Sequence, residues 1–177
     1  MTPASQIDDW LGRLAGERQA SPHTVSGYRR DLVKLQRFMQ AQQLASFEAL
    51  DANLMRSFIA AEHRAGLAPK SLQRLLSSCR SLFRQLNREG LLAGDPLLGV
   101  RGPKVRRKLP QVLDVDEASA LVETDSGGKL AVRDRAMLEL FYSSGLRLSE
   151  LVGLRWLDLD LDGAEVRVLG KGSKTRI

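Results

Sequence analysis

Ser143-Ser-Gly-Leu-Arg-Leu-Ser-Glu150 ends one helix and starts another, and the residues on either side take their meaning from that junction. Gly145 suits a helix C-terminus, where the chain turns into the left-handed region. Glu150 falls in the first turn of the helix that follows, where an acid is favoured. Arg147 is left between the two helices, where a guanidinium can be held rigidly and aimed at an anion. Gly170-Lys-Gly-Ser-Lys174 follows, a glycine-flanked turn carrying Lys171. The two segments together read as half of a site for phosphate chemistry, and the other half has no counterpart before Ile177.

Outward from the junction, the second half of the chain reads as helices followed by strands. Asp114 predicts an N-cap ahead of Asp116, Glu117 and the apolar Ala118, Leu121 and Val122. Thr124 to Lys129 reads as a loop, and Leu130, Met137, Leu140 and Phe141 mark the helix that runs into Ser144. After Leu154 the period changes to two. Leu157, Leu159 and Leu161 alternate with Asp158, Asp160 and Asp162, Asp162-Gly163 turns, and Val166 and Val168 alternate with polar residues up to Leu169. This predicts an antiparallel meander whose last strand holds Thr175 and Arg176.

The first half reads as four helices. Ile7, Trp10, Leu11 and Leu14 keep helical spacing, and Ser21-Pro22 is a start signal for Val25, Tyr28, Leu32, Leu35 and Met39. Asp51 caps a third helix with Leu54, Phe58 and Ile59. Pro69 precedes Leu72, Leu75, Cys79, Leu82 and Leu86, which Gly90 ends. Four short amphipathic helices predict a small bundle. The expected fold class is therefore mainly α with a small antiparallel β-sheet.

Net charge is +6 over 177 residues, and its distribution is uneven. Residues 1–108 carry 18 Lys/Arg against 9 Asp/Glu, whereas residues 109–177 carry 9 against 12. Such a basic first segment points to a polyanion, most often nucleic acid. Lys70 and Arg74 are four residues apart on the fourth helix, as are Arg80, Arg84 and Arg88. Like charges at this spacing disfavour an isolated helix, so a DNA backbone along the row would account for them; an arginine-rich solvated face is the alternative. Residues 94–110 are rich in proline and glycine and add Arg101, Lys104, Arg106, Arg107 and Lys108. They read either as a basic strap across a duplex or as a solvated linker.

Other chemistries find little footing. His23 and His63 are the only histidines, both in the first half, and neither keeps metal-ligand spacing with Cys79. No nucleophile elbow occurs, and the Asp158/Asp160/Asp162 alternation lacks the rest of a calcium loop. Gly170-Lys-Gly lacks the strand-to-helix setting of a nucleotide-binding loop. A single cysteine excludes an internal disulfide and fits a reducing, cytoplasmic location. No apolar run is long enough for membrane insertion.

The order of these features resembles the tyrosine site-specific recombinases of the phage integrase family, in the XerC type of chromosome-dimer resolvase. The matching text includes Arg18-Gln-Ala-Ser-Pro-His-Thr-Val-Ser-Gly-Tyr-Arg-Arg-Asp-Leu32, Asn87-Arg-Glu-Gly90, Asp95-Pro96 and Leu109-Pro110. The strongest block runs from Ala131 to Leu154, and Gly170 to Arg176 closes it. The resemblance implies a four-helix SAM-like core-binding domain over residues 1–92 and a basic interdomain linker over 93–110. Residues 111–177 would be the first part of an α+β catalytic domain, the two domains clamping DNA.

The resemblance makes Arg147 the arginine that binds the scissile phosphate and Lys171 the general acid for the leaving 5′-hydroxyl. It gives Glu150 a supporting role; Lys174 and Arg176 read, from the turn itself, as contacts to a backbone phosphate rather than as chemistry. No metal and no nucleotide cofactor is implied. The partners implied are a double-stranded DNA recombination site, a second, XerD-type recombinase in a heterotetramer, and a septal DNA translocase. The family's His-x-x-Arg motif and nucleophilic tyrosine find no match here, since Tyr28 and Tyr142 both precede Arg147. The 177 residues are therefore expected to bind DNA without cutting it. A phage or integron integrase and a non-catalytic DNA-binding derivative are the alternatives.

Overall fold

The computed structural model describes residues 2–17, 19–104, 109, 111–123, 127–170 and 175–177. It divides into two compact units, Met1–Arg107 and Lys108–Ile177.

The first unit is the helical bundle: α1 (Pro3–Gly16), α2 (Pro22–Ala41), α3 (Ala52–Arg64) and α4 (Pro69–Arg88). Thr2, Ser21 and Asp51 accept the backbone N–H of Ser5, Thr24 and Leu54 respectively, satisfying donors that the first helical turn leaves open. The apolar stripes then converge. Trp10, Leu11, Leu32, Leu35, Met55, Phe58, Leu75 and Leu82 are buried in one core, and α4 touches each of the other three helices. Trp10 stacks on Tyr28 at 5.6 Å, and Phe47 meets Phe83 edge-on at 5.8 Å. Cys79 lies in this core, where burial pushes its thiol far above the usual range and leaves it inert.

The stretch after α4 departs from the expected linker. Leu92, Leu97 and Val100 join the bundle core. Arg80 Nη2 donates to the Val100 carbonyl at 2.7 Å, and Gln73 Nε2 reaches the Pro103 carbonyl at 3.4 Å. A Cβ on Gly102 would come within 2.8 Å of Leu76 Cδ1, so glycine allows the close approach. Proline and glycine deny this stretch regular structure, but apolar side chains every few residues still bind it to the bundle core. As far as Pro103 this stretch packs as an irregular layer on the bundle.

The second unit contains α5 (Val115–Glu123), α6 (Ala131–Ser144) and α7 (Leu148–Val152). Asp114 and Glu117 cap α5 reciprocally, each carboxylate accepting the other residue's N–H. Two antiparallel ribbons follow, β1 (Leu159–Asp160) with β2 (Glu165–Val166), and β3 (Val168–Leu169) with β4 (Thr175–Arg176). The expected single meander is thus two separate ribbons. The alternation beginning at Leu157 is also broken, because Trp156–Asp158 is a 3-10 turn and leaves Leu157 92% exposed. Asp158 accepts the Arg155 N–H and winds this turn before any strand begins. Among the described residues of this unit only Leu146 and Val168 are buried hydrophobics, while Trp156, Leu157 and Leu161 stand in solvent.

Candidate functional site

The helix junction is built as the sequence suggests. α6 ends at Gly145, whose φ of +59° turns the chain, and Gly145 N–H donates to the Phe141 carbonyl at 3.2 Å. Leu146 then buries its side chain and pins the corner. Arg147 is the N-cap residue of α7, and Glu150 is the third helical residue. The Glu150 carboxylate holds residue 147 twice. Oε2 accepts its backbone N–H at 2.8 Å, and Oε1 accepts a hydrogen bond from its Nη1 at 2.7 Å. Arg176 on β4 adds a third contact, Nη2 to Oε2 at 2.9 Å.

The division of exposure is informative. The Glu150 side chain is 6% exposed, whereas those of Arg147 and Arg176 are 66% and 46% exposed. A sheltered carboxylate fixes two guanidiniums whose remaining N–H donors face outward. Two cations on one anion leave net positive charge, so an oxyanion arriving here meets donors that need no reorganisation.

The Arg147 backbone N–H is the largest influence holding the Glu150 carboxyl below its ordinary range, followed by the Arg147 guanidinium, with the Arg176 charge reinforcing it. A depressed folded value makes the contribution of this cluster full above the unfolded carboxylate value of ~4.3, and lost as pH falls through the folded value. Carbon-detected NMR titration of Glu150 is expected to give a midpoint below ~4.3 that rises in Arg147→Gln. An ordinary midpoint, indifferent to that substitution, would mean that the cluster does not hold together in solution.

The other predicted residues are placed unevenly. Arg176, expected beside a DNA backbone, joins Arg147 on Glu150. Lys171 and Lys174 fall in the segment joining β3 to β4 and lie outside the described residues, as do Arg106, Arg107 and Lys108. Arg74 is not simply a solvent-facing cation. Its Nε and Nη2 each donate at 2.9 Å to Asp31, which is fully buried between α2 and α4 and also accepts from Ser78. Arg80 is half-buried against the Val100 carbonyl. Lys70, Arg84, Arg88, Arg101 and Lys104 are exposed. Asp31 escaped notice in the sequence, although an acid three residues after Tyr28 and four before Leu35 lies on the buried stripe.

The structure is thus a helical bundle followed by an α+β unit, with a guanidinium held at a helix junction by a sheltered acid. The phage integrase N-terminal SAM-like domain matches residues 7–90, and the phage integrase family domain matches residues 111–177. The chain belongs to the phage integrase family of tyrosine recombinases.

Among relatives, it is 54% identical over 173 residues to tyrosine recombinase XerC of Xanthomonas campestris pv. campestris strain B100, covering 98% of this chain and 54% of that protein. It is 50% identical over 171 residues to tyrosine recombinase XerC of Xylella fastidiosa strain 9a5c, covering 97% and 58%. The chain thus spans little more than half the length of these curated relatives. Among solved structures, a lambda integrase (75-356) dimer bound to a COC′ core site superposes with a TM-score of 0.77 at 19% identity, over 99% of this chain and 61% of that one. A lambda integrase tetramer bound to a Holliday junction gives 0.75 at 20%, over 99% and 50%. At such identity the likeness concerns the fold alone.

Proposed function

We propose that these residues are the DNA-binding and arginine-bearing portion of a site-specific recombinase that cuts and rejoins DNA through a 3′-phosphotyrosine. The observation that carries this is the Arg147–Glu150–Arg176 cluster, a fixed pair of guanidiniums open to an incoming phosphate. In the reaction a tyrosine oxygen attacks phosphorus, the 5′-oxygen leaves, and Lys171 supplies the proton that the leaving oxygen takes up. Arg147 binds the non-bridging oxygens, on which charge builds in the transition state. Glu150 touches no reacting atom; it positions Arg147. Tyr28 and Tyr142 both precede Arg147, so on this reading the attacking tyrosine would be another one, in a protein as long as the relatives.

By kinship with XerC the substrate is a chromosomal recombination site and the role is dimer resolution at cell division, in the cytoplasm. The partners proposed are an XerD-type recombinase in a heterotetramer and a septal DNA translocase. Among the described residues no helix is long and apolar enough to cross a membrane.

The test uses the protein as its own cells make it, with a target site selected from random duplexes by binding. A nicked duplex of that site should trap a covalent protein–DNA adduct on a denaturing gel, attached through a 3′-phosphate. Tight, sequence-selective binding that never yields an adduct would instead make this a DNA-binding protein without strand chemistry.

A further inference from the structure

The Arg147 arrangement occurs a second time, eight residues further on in the sequence. Arg155 stands immediately before the 3-10 turn Trp156–Asp158, as Arg147 stands before α7. Asp158 holds it in the same way: Oδ2 accepts the Arg155 backbone N–H at 3.0 Å, while Nε and Nη2 donate to Oδ2 and Oδ1 at 3.0 and 3.1 Å. Again the acid is sheltered and the base is not, at 21% and 74% side-chain exposure. A second arginine again accompanies the acid. Arg167, between β2 and β3, donates its backbone N–H to the Asp158 carbonyl at 2.8 Å and is exposed. Glu150, Arg155, Asp158 and Arg167 line one cleft of about 250 Å³, so the two clusters share its walls.

A surface pair that serves stability alone contributes little, because the Coulombic gain in water barely offsets the ordering of two long side chains. Here the ordering has a different consequence. A guanidinium carries five N–H donors, and Asp158 engages two of the five on Arg155. The other three are held in a fixed plane in solvent, the state in which an arginine loses least on meeting a phosphate.

We propose that Arg155 and Arg167 form a second phosphate grip, which takes a backbone phosphate of duplex DNA other than the one that faces Arg147. This rests on the DNA-binding reading and extends it to a named pair of residues. Asp158 is a positioning residue in it, as Glu150 is in the first.

The test is the affinity of the 177-residue chain for a labelled duplex as a function of salt, with circular dichroism confirming the fold of each variant. Arg155→Gln and Arg167→Gln are each expected to flatten the slope of log affinity against log salt by about one, and Arg155→Lys to preserve it. Arg133→Gln is the control. Arg133 is another exposed arginine, paired with Asp134 on α6, and its loss should leave the slope alone. A steep wild-type slope that Arg155→Gln does not change, or that Arg133→Gln flattens equally, overturns the second grip and leaves the DNA reading standing. A wild-type chain with no salt-dependent affinity for duplex overturns both.

Discussion

Arg147→Ala is expected to reduce strand cleavage by the full-length protein by about 10²–10³-fold, the usual loss when one preorganised donor to a developing oxyanion is removed. Duplex affinity should change far less, with a salt slope lower by at most about one contact. The difference follows from placement. The cations that would supply most of the affinity lie on the bundle, at Lys70, Arg84, Arg88, Arg101 and Lys104, all exposed. On the proposed mechanism Arg147 would be one charge among many for binding, but for the reacting phosphorus it would be the donor that Glu150 holds still. Glu150→Gln separates positioning from contact: the amide can accept from the Arg147 N–H or guanidinium, but without the charge that grips both. Cleavage should therefore fall by an intermediate factor. The measurement is the rate of covalent adduct formation on a nicked duplex, set beside equilibrium binding to the intact one. A collapse of binding by Arg147→Ala in a folded protein would show that this residue holds DNA rather than activates it.

Much of this architecture was legible in the sequence because it rests on short-range physics. Ser21-Pro22 and Asp51 start α2 and α3 where the capping rules place them, and Gly145 ends α6 with the expected positive φ. The Arg147–Glu150 pair was legible for the same reason, since residues three apart across a helical turn are neighbours. What could not be read depends on distant partners. Arg176 reaches Glu150 across 26 residues, and Arg74 reaches Asp31 across 43, so neither pairing has a local signature. The packing of residues 97–103 onto the bundle was not legible, because composition argues only against regular structure, while attachment depends on distant residues of the bundle. The alternation at residues 157–162 misled for the opposite reason: a local cap by Asp158 overrode a genuine period of two.

Arg74→Ala is the substitution expected to harm the bundle most among the basic residues first read as DNA contacts. It leaves Asp31, fully buried, without the guanidinium that neutralises it, and breaking such a pair from one side costs about 3 kcal/mol. For a unit of this size that lowers the melting temperature by roughly 10–20 °C. Ser78 Oγ stays within 3.4 Å of Asp31, but it also donates to the Leu75 carbonyl and cannot replace two charged donors. The double variant Asp31→Ala with Arg74→Ala should recover part of the loss, because the uncompensated charge is then gone. Calorimetry of the four corners of this cycle measures the coupling. Additive effects would mean that the pair is incidental. Arg74 is itself 46% exposed, with donors beyond the two that Asp31 engages, so holding the bundle and touching DNA are not exclusive. Arg74→Lys distinguishes them. A lysine keeps the charge that a phosphate needs but cannot reproduce the two-pronged contact with Asp31. Stability should therefore fall while the salt slope of duplex binding is retained; a slope that falls together with stability would make the fixed fork, rather than the charge, the element that DNA reads.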